Sequence, residues 1–179
     1  DVQAAATLEW LPQETILFDG ARARMKTRIK LASDSRYIGW DILCLGRSAA
    51  GERFEKGRFD LLYRIDRENK PLWIERGGFS GDDPMLASPA GWAGCTVNGT
   101  LLCSFPELPQ QAASLLEALR AIAPVDRAQH GITVLPGVLI ARYLGDNSEA
   151  ARLCLARLWE ILRPVCCGRP AVTPRIWNT

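Results

Sequence analysis

Carboxylate side chains in the first half of the chain have the type and spacing for metal chemistry. Glu14 and Asp19 flank a short apolar stretch in the run LEWLPQETILFDGA, residues 8–21, and Glu52 and Glu75 follow later. Carboxylate oxygens bind divalent cations loosely and exchange them quickly, whereas thiolates and imidazoles hold such metals more tightly. These residues would therefore suit a chain that passes a metal ion on rather than one that keeps it.

The same carboxylates have an ordinary interpretation as solvated strand residues or as partners of the many Arg side chains. Both interpretations stay open for Glu14 and Asp19, because a charge beside an apolar run is costly to leave unpaired. For Asp41 and Asp146 the ordinary interpretation is preferred, and Asp146 has a predicted role as a helix cap.

Motifs for catalysis are missing from the sequence. His130 is the only histidine, so a hydrolytic triad or a cage of imidazoles lacks members, and we interpret it as a surface turn residue. No GxxxxGK[ST] phosphate loop, GxGxxG dinucleotide turn or GxSxG nucleophile elbow occurs. The chain is therefore predicted not to be an enzyme, and an enzyme of unknown type is kept only as a residual hypothesis.

The six cysteines are predicted to be reduced thiols. Their spacing is irregular, no CxxC pair occurs, and Cys166 and Cys167 are adjacent, which is poor geometry for a bond between them. We interpret most of the six as small core residues, with Cys166 and Cys167 packing the exit of the last helix. Reduced thiols, no recognisable signal peptide and no long apolar run predict a cytoplasmic chain without a membrane span.

Charge and composition exclude a further class of function. The 179 residues include 22 basic and 20 acidic side chains, a formal net charge of +2, and 47% are hydrophobic. That near-balance argues against a nucleic-acid binder, which normally concentrates positive charge. The hydrophobic content is enough for a packed core and fits one domain of this length.

Strand patterns fill most of the first two-thirds of the chain. The residues predicted to form strands are 8–12, 15–19, 21–31, 37–45, 54–65, 72–76 and 97–105. Within residues 21–31 apolar and basic side chains alternate, which predicts a half-buried strand with a basic, solvated face.

Helical patterns come later in the chain. One helix is predicted to begin near Pro109 and to stop at Pro124. Two strands, 132–135 and 138–143, are predicted to follow it, with a bend between them.

The last helix has the clearest signals of any element. Asp146 and Glu149 have the spacing of a capping box, and Pro164 and Gly168 are predicted to end the helix before an extended tail. The order of elements predicts a β-rich α+β fold. It is a predominantly β scaffold with β-helix or sandwich-like sheets and two helices toward the C-terminus.

Six runs of the sequence resemble the UreD family of urease accessory proteins, in the order in which that family has them. The runs are LEWLPQETILFDGA, GWDILCLGR, GERFEKG, PLWIER, TVLPGVLIARYLGDNSEAAR and LRPVCCGRPAVTPRIWNT. Together the resemblance covers essentially all 179 residues. It implies a single UreD-type domain over residues 1–179 that lacks the N-terminal part of typical family members.

The resemblance also implies a function and partners. Family members are understood to be scaffolds without catalysis of their own that bind urease apoprotein, a UreF-type helical accessory protein and a UreG-type GTPase. GTP hydrolysis by the GTPase then drives nickel insertion into urease, with nickel supplied by a separate UreE-type metallochaperone. The resemblance implies nickel in transit along an internal water-filled route, no tightly bound cofactor, and no nucleic acid or membrane partner.

Two sets of residues are predicted to serve this function. Glu14, Asp19, Glu52 and Glu75 are candidates for the transient nickel path. The last helix and tail, residues 146–179, are predicted to help dock the helical partner, with contacts from Trp159, Arg163, Arg175 and Trp177. A core position is the preferred interpretation for Trp159. The alternative function, motivated by the carboxylates and the six cysteines, is a stand-alone metal-binding storage or sensor module.

Overall fold

Three layers of secondary structure make up the chain. The computed structural model describes residues 1–178, so Thr179, the last residue of the predicted domain and of the predicted docking segment, lies outside the described residues. Two helices pack on one face of a large sheet, and a small sheet packs on its other face. This confirms the prediction of a β-rich α+β fold with two helices toward the C-terminus.

Nine strands and two α-helices occur within residues 1–178. The strands are β1 (Thr7–Trp10), β2 (Thr15–Leu17), β3 (Arg22–Leu31), β4 (Arg36–Leu45), β5 (Arg58–Arg67), β6 (Lys70–Ser80), β7 (Val97–Ser104), β8 (Gln129–Leu135) and β9 (Val138–Gly145). The helices are α1 (Leu108–Arg120) and α2 (Ser148–Cys167), and short 3₁₀ turns lie at Ser48–Ala50, Pro84–Leu86 and Arg175–Asn178.

The two sheets have different strand orders. The large sheet has the order β1-β4-β7-β9-β8, and β2 pairs with the same strand as β1, so that both run parallel to β4. Its remaining pairs are antiparallel. The small sheet has the order β3-β5-β6, with β3 parallel to β5 and β6 antiparallel to it.

Strand β4 is buried on both faces. Its even-numbered apolar residues pack with both helices in the main core, and they are Ile38, Trp40, Ile42 and Cys44. Its odd-numbered apolar residues pack toward the small sheet, and they are Tyr37, Leu43 and Leu45. Buried side chains on both faces explain the dense apolar run that predicted a buried strand here.

Two strands of the small sheet have bounds that differ from the prediction. β5 begins at Arg58 rather than at Phe54, because Phe54 is buried from a loop, with its ring 6.0 Å from that of Phe79. β6 extends to Ser80 rather than ending at Arg76, because its two consecutive glycines still pair with β5. The alternation predicted for β3 is confirmed, with its basic side chains exposed.

The last helix has a different N-cap from the predicted one, but it ends at Gly168 as predicted. Asn147 is its N-cap, since its side chain accepts the N–H of Ala150, whereas the Asp146 carboxylate accepts the backbone N–H of Thr96. Pro164 lies inside the last turn, where its missing N–H removes a single helical hydrogen bond. The helix ends at Gly168, whose positive φ of 65° forms a left-handed C-cap.

Smaller predictions also need correction. The predicted stop at Pro124 lies beyond the end of α1, and His130 lies in strand β8 at an exposed position instead of in a turn.

All six cysteines are free, and Cys44, Cys103, Cys154 and Cys166 are buried. Within residues 1–178, neither helix is both long and apolar enough to cross a membrane.

The tail is folded back onto the core rather than fully extended. Trp177 is 6% exposed, and its ring centroid lies 5.0 Å from that of Trp40 and 5.3 Å from that of Trp159. Its backbone carbonyl also accepts a hydrogen bond from Arg152 of α2. The tail is therefore a structural part of the main core.

Replacing Trp177 by Ala is expected to lower the free energy of unfolding by about 3 kcal/mol, because it removes a buried aromatic side chain. Urea denaturation of the natural protein that carries this chain measures the loss. Val172→Ala is the matched control, since Val172 is 69% exposed in the same tail and should change stability little. Equal effects of the two substitutions would contradict the packing of the tail.

Candidate functional site

A layer of polar side chains crosses the interior between the two sheets. Apolar clusters lie on both sides of it, one around Ile29 and Ile65 and the other around Leu43 and Phe59. We call these residues the polar layer: Tyr37, Asp41, Thr100 and Arg142 of the large sheet, with Tyr63 and Glu75 of the small sheet.

Strand register brings these residues together. Asp41 lies opposite Thr100, and Thr100 lies opposite Arg142, so three neighbouring strands contribute one row. Arg142 Nη1 donates to Thr100 Oγ1 at 2.9 Å and reaches across to Glu75 Oε1 at 2.8 Å. Glu75 itself lies opposite Tyr63 in the small sheet. The ion pair, which is partly exposed, therefore joins the two sheets.

A tyrosine pair forms a second link between the sheets. The hydroxyls of Tyr37 and Tyr63 are hydrogen-bonded to each other. Gly39 makes room for this pair, since a Cβ at that position would collide with the Tyr37 hydroxyl. Burial raises the pKa of both phenols above their ordinary value, and the charge of Asp41 raises each further, so both hydroxyls remain protonated.

Asp41 is the member of the polar layer whose hydrogen bonding is incomplete. Its Oδ2 atom is buried and has no hydrogen-bond partner among the described residues. Burial, followed by the nearby charge of Glu75, raises the pKa of Asp41 to about 6. The Trp73 Nε1 atom is likewise buried, and it has no hydrogen-bond partner among residues 1–178. A buried polar atom in that state is costly unless a water molecule or an ion completes it.

The structure brings together two of the four carboxylates predicted for a metal route. Asp19 Oδ1 accepts the backbone N–H groups of Glu55 at 2.9 Å and Lys56 at 2.7 Å. Glu52 accepts the backbone N–H of Asp19 at 3.0 Å and pairs with Arg47. Both carboxylates thus organise an exposed loop.

These loop contacts also explain the acidity of both groups. Hydrogen bonds from the Lys56 and Glu55 backbone lower the pKa of Asp19, and the Arg47 side chain lowers the pKa of Glu52. Each carboxylate therefore stays ionised over a wide pH range.

The other two predicted carboxylates lie elsewhere. Glu14 lies near Cys44, whose pKa is raised to about 11 by burial and then by the charge of Glu14. Glu75 belongs to the polar layer. Within residues 1–178, no group of three or more His, Cys, Asp or Glu side chains has the geometry to hold a metal ion. The transient nickel path through these four residues stays a prediction.

Two of the predicted partner contacts, Trp159 and Arg163 of the last helix, bind Glu9 of the first strand. Arg163 donates to both oxygens of Glu9 at 2.9 to 3.1 Å, and Trp159 Nε1 donates to Glu9 at 2.8 Å. Burial alone would raise the pKa of Glu9, but hydrogen bonds from Arg163 and Trp159 outweigh it and lower that pKa.

Exposure separates the four predicted contacts. Trp159 and Trp177 are 1% and 6% exposed, so both rings belong to the core, which agrees with the preferred interpretation of Trp159. Arg163 is held by Glu9, while Arg175 is exposed. The role of these residues in partner binding stays a prediction.

Asp41 is the residue that sequence reasoning misjudged. The sequence favours a solvated strand residue or the partner of an Arg, but in the structure Asp41 is only half-exposed, and its Oδ2 is buried without a partner among residues 1–178. The available signal was a carboxylate in the middle of the apolar run GWDILCL, in a strand already predicted to be buried.

Comparison with known proteins identifies a family. A family model described as "UreD urease accessory protein" matches residues 1–178. The protein named "Urease accessory protein UreD" of Dechloromonas aromatica is 75% identical over 178 residues, which are 99% of this chain and 62% of that relative.

Two other relatives carry the same name. The protein of Pseudomonas savastanoi pv. phaseolicola is 47% identical over 99% of this chain and 62% of its own length. The protein of Nitrosococcus oceani is 46% identical over 96% of this chain and 56% of its own length. The chain thus spans less than two thirds of the length of these relatives.

Replacing Asp41 by Asn is expected to stabilise the protein at neutral pH. The folded pKa of about 6 lies above the ordinary 3.8, so Asp41 costs stability as pH rises from about 4 to about 6. Asp41→Asn should remove that loss and raise the unfolding free energy at pH 7 by about 2 kcal/mol. Chemical denaturation between pH 4 and pH 8 measures it.

Glu160→Gln is the control for this experiment, since Glu160 is an exposed carboxylate on α2. It should leave the pH profile of stability unchanged. A variant Asp41→Asn with the same pH profile as the unaltered protein would contradict the burial of an unpaired carboxylate.

Proposed function

Because the chain belongs to the UreD family of urease accessory proteins, we propose that it acts in urease maturation as a scaffold of the complex that inserts nickel. In this role it binds urease apoprotein together with a UreF-type helical protein and a UreG-type GTPase. It performs no catalysis and holds no tight cofactor, and nickel is cargo in transit.

The observation that carries the metal part of the proposal is the buried, unpaired Oδ2 of Asp41. An oxygen that lacks a protein donor is available to a hydrated cation, and Glu75 supplies a second carboxylate in the same layer. Hard oxygen ligands without thiolate or imidazole suit release rather than retention of nickel. The polar layer therefore supports a transient binding position for the ion between the two sheets.

The position of the polar layer adds support. Apolar clusters lie on both sides of it, and its Arg142 and Glu75 side chains are only partly exposed, so its surroundings are less polar than bulk water. Lower polarity strengthens the attraction between a carboxylate and a cation. Arg142 already neutralises Glu75, so an arriving cation meets one free carboxylate rather than two. A single free charge favours weak binding and onward movement.

The other three predicted carboxylates enter the proposal in a different way. The carboxylate oxygens of Asp19 and Glu52 accept hydrogen bonds from the loop backbone and from Arg47. We therefore expect substitution of either residue to loosen the loop first. Glu14 has no such engagement among the described hydrogen bonds and ion pairs, and it is half-exposed, so it is the candidate we would test for an entry point.

The alternative, a stand-alone storage or sensor module, would need thiolates. Four of the six thiols are buried, and burial raises the pKa of Cys44 to about 11, so its metal-binding form is scarce at neutral pH. Burial likewise raises the pKa of Cys154. Equilibrium dialysis decides between the two, because tight nickel binding that is lost in Cys166→Ala with Cys167→Ala would favour storage.

The first test is the nickel content of urease made with and without the natural protein that carries this chain. Urease is produced with the other accessory proteins, purified and assayed for nickel and activity. We expect nickel-poor, inactive apoprotein when the protein is left out. Full nickel content without it would overturn the proposed function.

The second test asks whether the polar layer serves nickel transfer. Asp41→Asn and Glu75→Gln should lower the nickel content of urease several-fold while the variants still co-purify with the partners. Asp41→Asn should do so although it stabilises the fold, which separates loss of function from loss of structure. Glu160→Gln is the control, and nickel contents equal to the control in both variants would remove the polar layer from the route.

A further inference from the structure

The outer face of the small sheet is strongly basic. The outward positions of β3 are Arg22, Arg24, Lys26, Arg28 and Lys30, all of them exposed. At about 3.3 Å per residue they form a row roughly 26 Å long. Among the described residues none of the five forms an ion pair.

The same charge continues across the sheet. Strand register puts Arg58 and Arg64 of β5 and Arg76 of β6 on this side, and we call it, with the five β3 cations, the basic face. The acidic residues at its outward positions are Asp60 and Asp66, each paired with an Arg of β5. Eight cations against two carboxylates leave a surplus of six, whereas the whole chain carries +2. The remaining residues therefore carry a net negative charge.

Protection of a sheet edge explains only part of this pattern. Cations on an edge strand discourage pairing with other chains, and β3 is an edge of the small sheet. The basic face, however, extends over the central strand and the opposite edge as well. Repulsion between like charges in neighbouring positions costs stability, so a surplus of six indicates selection for another purpose.

The composition of the basic face fits the surface of an acidic protein. Six of its eight cations are Arg, whose planar guanidinium forms two parallel hydrogen bonds with a carboxylate. Leu62 and Ile74 lie among the cations at outward positions, and Ile74 is 49% exposed. An apolar centre within a charged rim is the usual anatomy of a protein interface.

One end of the basic face is concave. An open groove of about 730 Å³ is lined by Arg22, Arg24, Lys56 and Arg58, among other residues. A projecting acidic side chain of a partner can enter such a groove. Single-stranded nucleic acid fits less well, since the outward positions of the small sheet carry no aromatic ring on which a base would stack.

We infer that the basic face is the docking surface for an acidic surface of one protein partner in the maturation complex. This inference rests on the proposed function, because the complex supplies the partner. Electrostatic attraction brings the partner to the sheet, and the apolar centre and the Arg hydrogen bonds then hold it.

The test uses the charge reversal Lys26→Glu with Arg28→Glu in the natural protein that carries this chain. Neither residue lies directly opposite a carboxylate in the β3–β5 register, although the charge of Arg28 also acts on Asp66. The neutral pair Lys26→Gln with Arg28→Gln therefore serves as the variant without added repulsion. Binding is measured separately to urease apoprotein, the UreF-type protein and the UreG-type GTPase at low and at physiological salt. One of these affinities should fall about tenfold or more, with a smaller loss for Lys26→Gln with Arg28→Gln.

Arg53→Glu with Arg127→Glu is the matched control, because both residues are exposed and unpaired among the described residues and lie outside the basic face. Circular dichroism checks that each variant is folded. If the charge-reversal variant does not fold, the neutral variant Lys26→Gln with Arg28→Gln is used for the binding measurement instead. Equal losses in the control, or unchanged binding of the Lys26 and Arg28 variants to all three proteins, would overturn the inference alone.

Two further outcomes are informative. Binding to a random DNA duplex at physiological salt that disappears in the reversal, with protein binding unchanged, would assign the basic face to nucleic acid and overturn the inference. Failure of the unaltered protein to bind any of the three partners would overturn the proposed function and this inference with it.

Discussion

A strand that is buried on both faces must fit two layers of side chains at once, and β4 is under that constraint. Neighbouring strands on both edges satisfy its backbone, its even-numbered residues hold the helices, and its odd-numbered residues hold the small sheet. A charged side chain is costly in such a position. Asp41 is therefore the point at which packing and chemistry conflict, because its charge acts on the buried tyrosine pair and is itself disfavoured by Glu75.

Local patterns predicted much of this fold, because alternation and turn residues are properties of neighbouring positions. The bounds of β3, β4 and β7 differ from the prediction by one residue at most. Errors arose where a local signal was overridden by tertiary structure. Phe54 is apolar but is buried from a loop, Gly77 and Gly78 pair in a strand although glycine usually marks a loop, and Pro164 lies within a helix.

The site was less predictable, for a different reason. Asp41 and Glu75 are 34 positions apart, and they share an interior only because the small sheet folds over the large one. Asp19, in contrast, is conspicuous beside a local apolar run, and in the structure it organises a loop together with Glu52. Sequence reasoning thus found carboxylates with conspicuous neighbours and passed over the one whose surroundings are set by the packing of two sheets.

The contact between Glu9 and Arg163 has a consequence for how the chain folds. These residues are 154 positions apart, and Trp40 and Trp177 add a second contact between distant parts of the sequence. Contacts of such high sequence separation require the chain to lose the entropy of closing a large loop before the contact energy is gained. Folding is therefore slow compared with that of a helical bundle. During synthesis β1 and its neighbours cannot complete their packing until α2 has been made. Until then their apolar faces are exposed to other chains. The stability of the finished protein and the risk of its aggregation during synthesis therefore have the same structural origin.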